Sequence, residues 1–291
     1  PLFSRELSGI VSVEVFGLLR RLDSYARSLT NVKLKDWVPE GEVSKKMKMK
    51  RFDTIVSYAA LMHLLFWIQR AICGAANGLA KLGSYERFDP DNAYLGNVVH
   101  HTAMMLLTLA VILFLNRVDV PEFGLGLGDR KAGVRYVALY TAVLIGITLV
   151  VHVFMLMTNS LPSYPYPLNR RNIIGTLLFQ FFFTGPAEEL LFRALPITIL
   201  VAELGRRVNI RLGIGVETII AAFLFALAHA DFSLFPLSFE ADPFQLLYAF
   251  GQGLIAGKVY EDTGSVVYPM IMHSVSNVLM VQTGYLFILL T

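Results

Sequence analysis

The chain has 291 residues, 55% of them hydrophobic and 16% charged, with a net charge of +3 and a mean hydropathy of +0.57. A soluble domain carries nearer a quarter charged residues, whereas several apolar stretches here exceed the roughly 18 residues needed to cross a bilayer. Cys73 is the only cysteine, which excludes an intramolecular disulfide or a multi-cysteine metal site and reads as a structural thiol.

These features predict an all-α, polytopic membrane helical bundle of about seven to eight transmembrane helices behind an N-terminal amphipathic helix. The ten-residue alternation of a transmembrane barrel is absent. Residues 2–29 carry helix-spaced apolar positions with charges between them, the pattern of an interfacial helix. They lack the continuous apolar core of a cleavable signal. Residues 31–51 are strongly basic (Lys33, Lys35, Lys45, Lys46, Lys48, Lys50, Arg51) and are expected on the cytoplasmic side. No aromatic interleaving accompanies them, so a nucleic-acid partner is not expected. The expected division is 1–52, amphipathic helix and basic segment, and 53–291, the transmembrane part, with a motif-bearing core over about 172–285.

The first span is expected over 54–80, interrupted near Gln69-Arg70, and the second over 94–116. The glycine-rich residues 123–128 lack the strand and lysine of a phosphate loop and are expected to form a flexible interfacial loop. A third span over 136–157 ends in a proline-broken loop, 160–167. The fourth begins near 172, the fifth covers 212–230, and the sixth covers 244–260 with Gly253 and Gly257 in a close-packing spacing. The seventh runs on from 266, broken near Gly284.

The fourth span holds the feature that most needs explaining. Glu188, Glu189 and Arg193 sit in an otherwise apolar stretch, where a charge costs at least about 2.5–3.5 kcal/mol. Glu189 and Arg193, four apart, share a helix face and can pair. Glu188 points about 100° away and lacks a local partner. Gly185 as N-cap and Pro186 at the first helical position would open a fresh helix there, with Glu188 at its positive end. A plain kink with a stabilising ion pair is the bland alternative, and it leaves Glu188 unexplained.

Of six histidines, His63, His100, His101 and His152 read as hydrogen-bonded helix residues. His229 follows Phe225 by four, and His273 precedes Asn277 by four, so each pair shares a face. Ser274 and Ser276 are turned away from His273, which argues against a serine mechanism. Together these residues fit a hydrolase. Glu188 with His229 would hold and deprotonate a water, and His273 with Asn277 would bind an oxyanion. One conflict remains: counting along the spans puts His229 and His273 at depths further apart than side chains reach.

Glu188-Glu189-x-x-x-Arg193, Phe225-x-x-x-His229 and His273-x-x-x-Asn277, in that order, resemble the three motifs of the CAAX prenyl protease type 2 family. This is the Ras-converting endopeptidase group, related to the abortive-infection (ABI) membrane proteins, and the resemblance covers about residues 120–285. It implies an intramembrane glutamate-dependent endopeptidase. Eukaryotic members remove the last three residues of a C-terminal Cys-a-a-X sequence after prenylation of the cysteine. By position Glu188, His229, His273 and Asn277 would be catalytic, with Glu189, Arg193 and Phe225 supporting them. No cofactor is favoured. His-Glu-x-x-His is absent, though zinc on Glu188, His229 and His273 is the alternative. The implied partners are a prenylated or otherwise hydrophobic C-terminal peptide and the bilayer. The implied location is the plasma membrane in a prokaryote, which the short loops favour, or the endoplasmic reticulum in a eukaryote. A different class is also open: a non-catalytic or transport-type ABI protein, for example in bacteriocin immunity.

Overall fold

The computed structural model describes residues 40–117, 122–204, 213–234 and 237–291, and side chains of 40–54, 204, 232–234 and 237 are not part of the description. The expected amphipathic helix at 2–29 lies outside these residues. So do the side chains of the basic stretch. The chain divides into two compact units, Ala60–Ala202 with Arg206–Thr291, and residues 1–59 with 203–205. The packed helices and the polar site belong to the larger unit.

Helix α1 is Glu40–Ala80, α2 Leu95–Asn116 and α3 Arg130–Met157. Residues 170–204 are helical throughout but wound unevenly. Helix α4 (Arg170–Phe179) passes into a π-turn (Gln180–Thr184), then α5 (Gly185–Glu189), a second π-turn (Leu190–Ala194) and α6 (Leu195–Leu204). Then come α7 (Val216–Ala228), the antiparallel strands β1 (Asp231–Leu234) and β2 (Leu237–Glu240), α8 (Pro243–Thr263) and α9 (Val267–Leu290). The hairpin pairs Asp231 with Glu240 and has no counterpart in the sequence expectation.

Four helical stretches, Ile55–Ala80, Leu95–Asn116, Arg130–Met157 and Val267–Leu290, are long and apolar enough to cross a membrane. Their apolar faces look outward: only 17% of the most apolar window of α3 is buried. Leu139, Val150 and Phe154 stand exposed along it. Helices this apolar and this little buried belong in lipid. The protein is an integral, all-α membrane bundle.

Three local expectations are corrected here, each for a packing reason. Helix α1 is not interrupted at Gln69-Arg70; both side chains reach neighbouring backbone carbonyls, Gln69 Nε2 donating to Leu191 O at 3.1 Å and Arg70 Nη2 to Ala230 O at 3.3 Å. Helix α9 is not broken at Gly284, where the missing side chain makes room for the Tyr164 hydroxyl and Pro162. The glycine-rich loop is tied down rather than flexible. Asp129 N donates to Thr263 O, Val266 N to Gly124 O and Ser265 Oγ to Gly126 O, at 2.8, 2.8 and 2.6 Å. Gly128, at φ +45°, has space for nothing larger, because a Cβ there would lie 2.0 Å from Thr263 O.

Helices α7 and α8 pack closely at Gly253 and Gly257, where an added Cβ would fall 2.8 Å from Ala222 Cα and 2.6 Å from Thr218 Cγ2. The small-residue spacing therefore marks a helix contact, as its sequence predicts.

Candidate active site

Gly185-Pro186 does not open a fresh helix. Thr184 and Gly185 both have right-handed helical dihedrals, φ −65° and −56°, so neither is an extended N-cap. The π-turn before them accommodates the proline instead. A wider turn absorbs the missing N–H and gives the ring room that a regular α-turn denies it. The second π-turn contains Leu191, whose carbonyl is taken by Gln69. Each wide turn also rotates the next helical segment relative to a regular helix, and Gly185 lets α5 press against α9. A Cβ there would lie 2.3 Å from Met270 O and 2.4 Å from Ser274 Oγ.

The two carboxylates so placed have different surroundings. Glu189 is 0% exposed, and its Oε2 lies 3.2 Å from Arg193 Nε, itself 1% exposed. This is an ion pair, though the N–H does not point at the oxygen and neither atom is hydrogen-bonded. The Arg193 guanidinium also lies over the Phe225 ring, 3.9 Å from its centre, a favourable cation–π contact. Glu188 is 17% exposed and faces two imidazoles, His101 Nε2 at 3.3 Å from Oε1 and His273 Nε2 at 3.6 Å from Oε2.

The three histidines at the site are held in the same way, each by Nδ1. His101 Nδ1–H donates to Asn97 O (2.9 Å), His229 Nδ1–H to Phe225 O (2.9 Å) and His273 Nδ1–H to Glu189 Oε1 (2.7 Å). Nδ1 must carry the hydrogen in each case, because a carbonyl or an ionised carboxylate only accepts. In the neutral ring Nε2 then carries the lone pair. His229 owes its position to the end of α7. The last backbone N–H turns to Ala226 O, so the Phe225 carbonyl is left for the imidazole.

Helix α7 also resolves the conflict of depth. It has 13 residues, about 20 Å, too short to cross a hydrocarbon core of about 30 Å. His229, at its C-terminal end, lines the same cavity as His273. The span expected over 212–230 is too long.

Glu188, Glu189, Arg193, Phe225, His229, His273 and Asn277 all line one cavity of about 190 Å3. The motifs are also bonded to one another: Glu189 holds both Arg193 and His273, and Arg193 packs on Phe225. Asn277 Nδ2 donates to Gln180 Oε1 at 3.0 Å. Ser276 lines the same cavity, and its hydroxyl is engaged by Tyr248 at 3.0 Å. A second cavity, of about 230 Å3, shares Glu188, Phe225 and His229 with the first.

His101 is the residue that sequence reasoning passed over. It stands next to His100 in an apolar span, and nothing in its spacing distinguishes it from a helix histidine. His152 and His63 do make local helix bonds, to Thr148 O and from Trp67 Nε1.

A zinc ion on Glu188, His229 and His273 is the alternative cofactor reading. Among the described residues no group of three or more His, Cys, Asp or Glu is arranged to hold a metal ion.

Fold and site together define an integral membrane helical bundle with a glutamate- and histidine-lined cavity among its helices. Residues 170–279 match the family model described as Type II CAAX prenyl endopeptidase Rce1-like. The resemblance expected from the three motifs is borne out over that segment. Comparison with curated proteins gave no match, nor did comparison with solved structures.

Proposed function

We propose that the protein is an intramembrane endopeptidase that removes the last three residues from a prenylated C-terminal Cys-a-a-X peptide. The observation that carries this reading is that Glu188, His229, His273 and Asn277, from three separate helical segments, line one cavity. The Rce1-like segment covers all four.

In this mechanism Glu188 takes a proton from a water that attacks the carbonyl of the prenylated cysteine. His229 holds that water from the other side through Nε2. The carbonyl oxygen becomes an oxyanion facing the second N–H of Asn277 and the Nε2–H of a doubly protonated His273, whose Nδ1–H is already given to Glu189. Donors set in a water-poor cavity stabilise such a charge more than they would in water. The proton taken by Glu188 then passes to the departing amine, so carboxylate and histidines return to their starting state. Glu189 and Arg193 hold His273 and Phe225 rather than touching the peptide.

Purified protein in detergent, given a prenylated Cys-a-a-X peptide, should release the tripeptide, detectable by mass spectrometry. Glu188→Gln, His229→Ala and His273→Ala should lose that release while eluting as folded protein. Full activity in Glu188→Gln would overturn the mechanism. Ligand binding that survives alanine at Glu188 and His229, without any cleavage, would favour the non-catalytic reading.

A further inference from the structure

The second cavity meets the first at Glu188 and His229 but is lined by neither His273 nor Asn277. Its walls include Arg70, Gln69, His100, His101 and Met104, and Glu188, Phe225 and His229 separate it from the first. A peptide whose scissile carbonyl sits at Glu188 thus has one space on each side of the bond.

The two spaces differ in charge. The guanidinium in the first, Arg193, is buried and neutralised by Glu189. The guanidinium in the second, Arg70, lies within the Ile55–Ala80 span and has much less to hold it. It donates one bond, Nη2 to Ala230 O at 3.3 Å, and stands 5.7 Å from the Phe66 ring centre. Among the described residues no carboxylate is paired with it. Glu188, the one acid lining this cavity, has its oxygens facing His101 and His273. A guanidinium offers five donors and a permanent charge, and at bilayer depth such a charge needs a partner or a task. Gln69 beside it is already committed to Leu191 O.

We propose that this cavity receives the free C-terminal carboxylate of the peptide, with the Arg70 guanidinium as its anchor. The assignment rests on the endopeptidase reading of the site. A planar guanidinium matches a carboxylate with two parallel N–H bonds. The free carboxylate is also the one group that distinguishes the end of a chain from any internal stretch. Three extended residues span about 10 Å, so anchoring the carboxylate fixes how far from the end the bond at Glu188 is cut.

The test compares a prenylated Cys-a-a-X peptide as its free acid and as its C-terminal amide. The wild-type protein should cleave the acid about ten- to a hundredfold more efficiently, the worth of a charge-assisted contact. Arg70→Gln should erase that preference chiefly through KM, and Arg70→Lys, which keeps the charge but loses the two-pronged geometry, should retain part of it. Binding of both peptides to the Glu188→Gln protein reads the same preference without cleavage. Equal cleavage of acid and amide by the wild type, or a full preference in Arg70→Gln, would overturn the anchor and leave the endopeptidase reading standing. If nothing is cleaved, the endopeptidase reading falls. Tighter binding of the acid that is lost on Arg70→Gln would then still support the anchor, and equal binding would overturn it. Should Arg70→Gln fail to fold, the wild-type acid-to-amide ratio and the Arg70→Lys ratio decide the matter.

Discussion

His101 Nε2 stands 3.3 Å from Glu188 Oε1, across 87 residues of chain. The same ring gives its Nδ1–H to Asn97 O, so both nitrogens face acceptors. A neutral imidazole and an ionised carboxylate together are one proton short of satisfying both contacts. Nε2 is thereby set against the carboxylate that the mechanism uses as base.

Replacement of His101 should therefore weaken catalysis without unfolding the protein. His101→Phe is expected to lower kcat about ten- to a hundredfold, the scale of a misplaced catalytic group. His101→Gln, whose amide can still face Glu188, should recover part of the loss. Steady-state cleavage of the prenylated peptide checks both, with thermal unfolding as the control for folding.

Arg193 should behave in the opposite way. Arg193→Met leaves buried Glu189 with only the His273 Nδ1–H to meet its charge, and breaking a buried pair costs about 3–5 kcal/mol. The variant is expected to lose thermal stability before activity can be measured. Glu189→Gln with Arg193→Met, which removes both charges, should recover much of that stability. A double variant no more stable than the single one would show that the pair does not hold this part of the fold.

Gly185 controls the distance between α5 and α9. Gly185→Ala places a Cβ 2.3 Å from Met270 O, so one helix must move. An overpacking cost of about 1–3 kcal/mol is expected, together with a loss of cleavage as Glu188 shifts relative to His273. Thermal unfolding and activity, measured on the same sample, should fall together.

Activity is expected to withstand a chelator. The Glu188 oxygens already face His101 and His273, and no described cluster is arranged to hold a metal. Dialysis against a zinc chelator, followed by the peptide assay, should leave the rate unchanged. A loss restored by zinc would require the metal-dependent route.

Much of this was legible in the residues. Charges in an apolar stretch stand out whatever the fold, so Glu188, Glu189 and Arg193 could be found by composition alone. Spacings of four placed Arg193 beside Glu189, and Phe225 beside His229, because a regular helix repeats that closely. Gly253 and Gly257 marked a helix contact for the same reason. The direction of Glu188 was not legible. Two π-turns, at Gln180–Thr184 and Leu190–Ala194, change the angular count on either side of it, and no local pattern announces them. The span over 212–230 was also too long, because the helix begins only at Val216 and ends at Ala228.

By itself, then, the sequence determined a helical membrane protein, its motif residues and the pairing of Glu189 with Arg193, all properties of composition and short spacing. Only the tertiary structure decided what Glu188 meets. Its neighbours His101 and His273 lie 87 and 84 positions or so along the chain from the glutamate pair, His101 from Glu188 and His273 from Glu189. Contacts of that range depend on where helices end and how far their turns are unwound. The short α7 and the uneven winding of residues 170–204 set both, and they bring Glu188, His229 and His273 to the wall of one cavity.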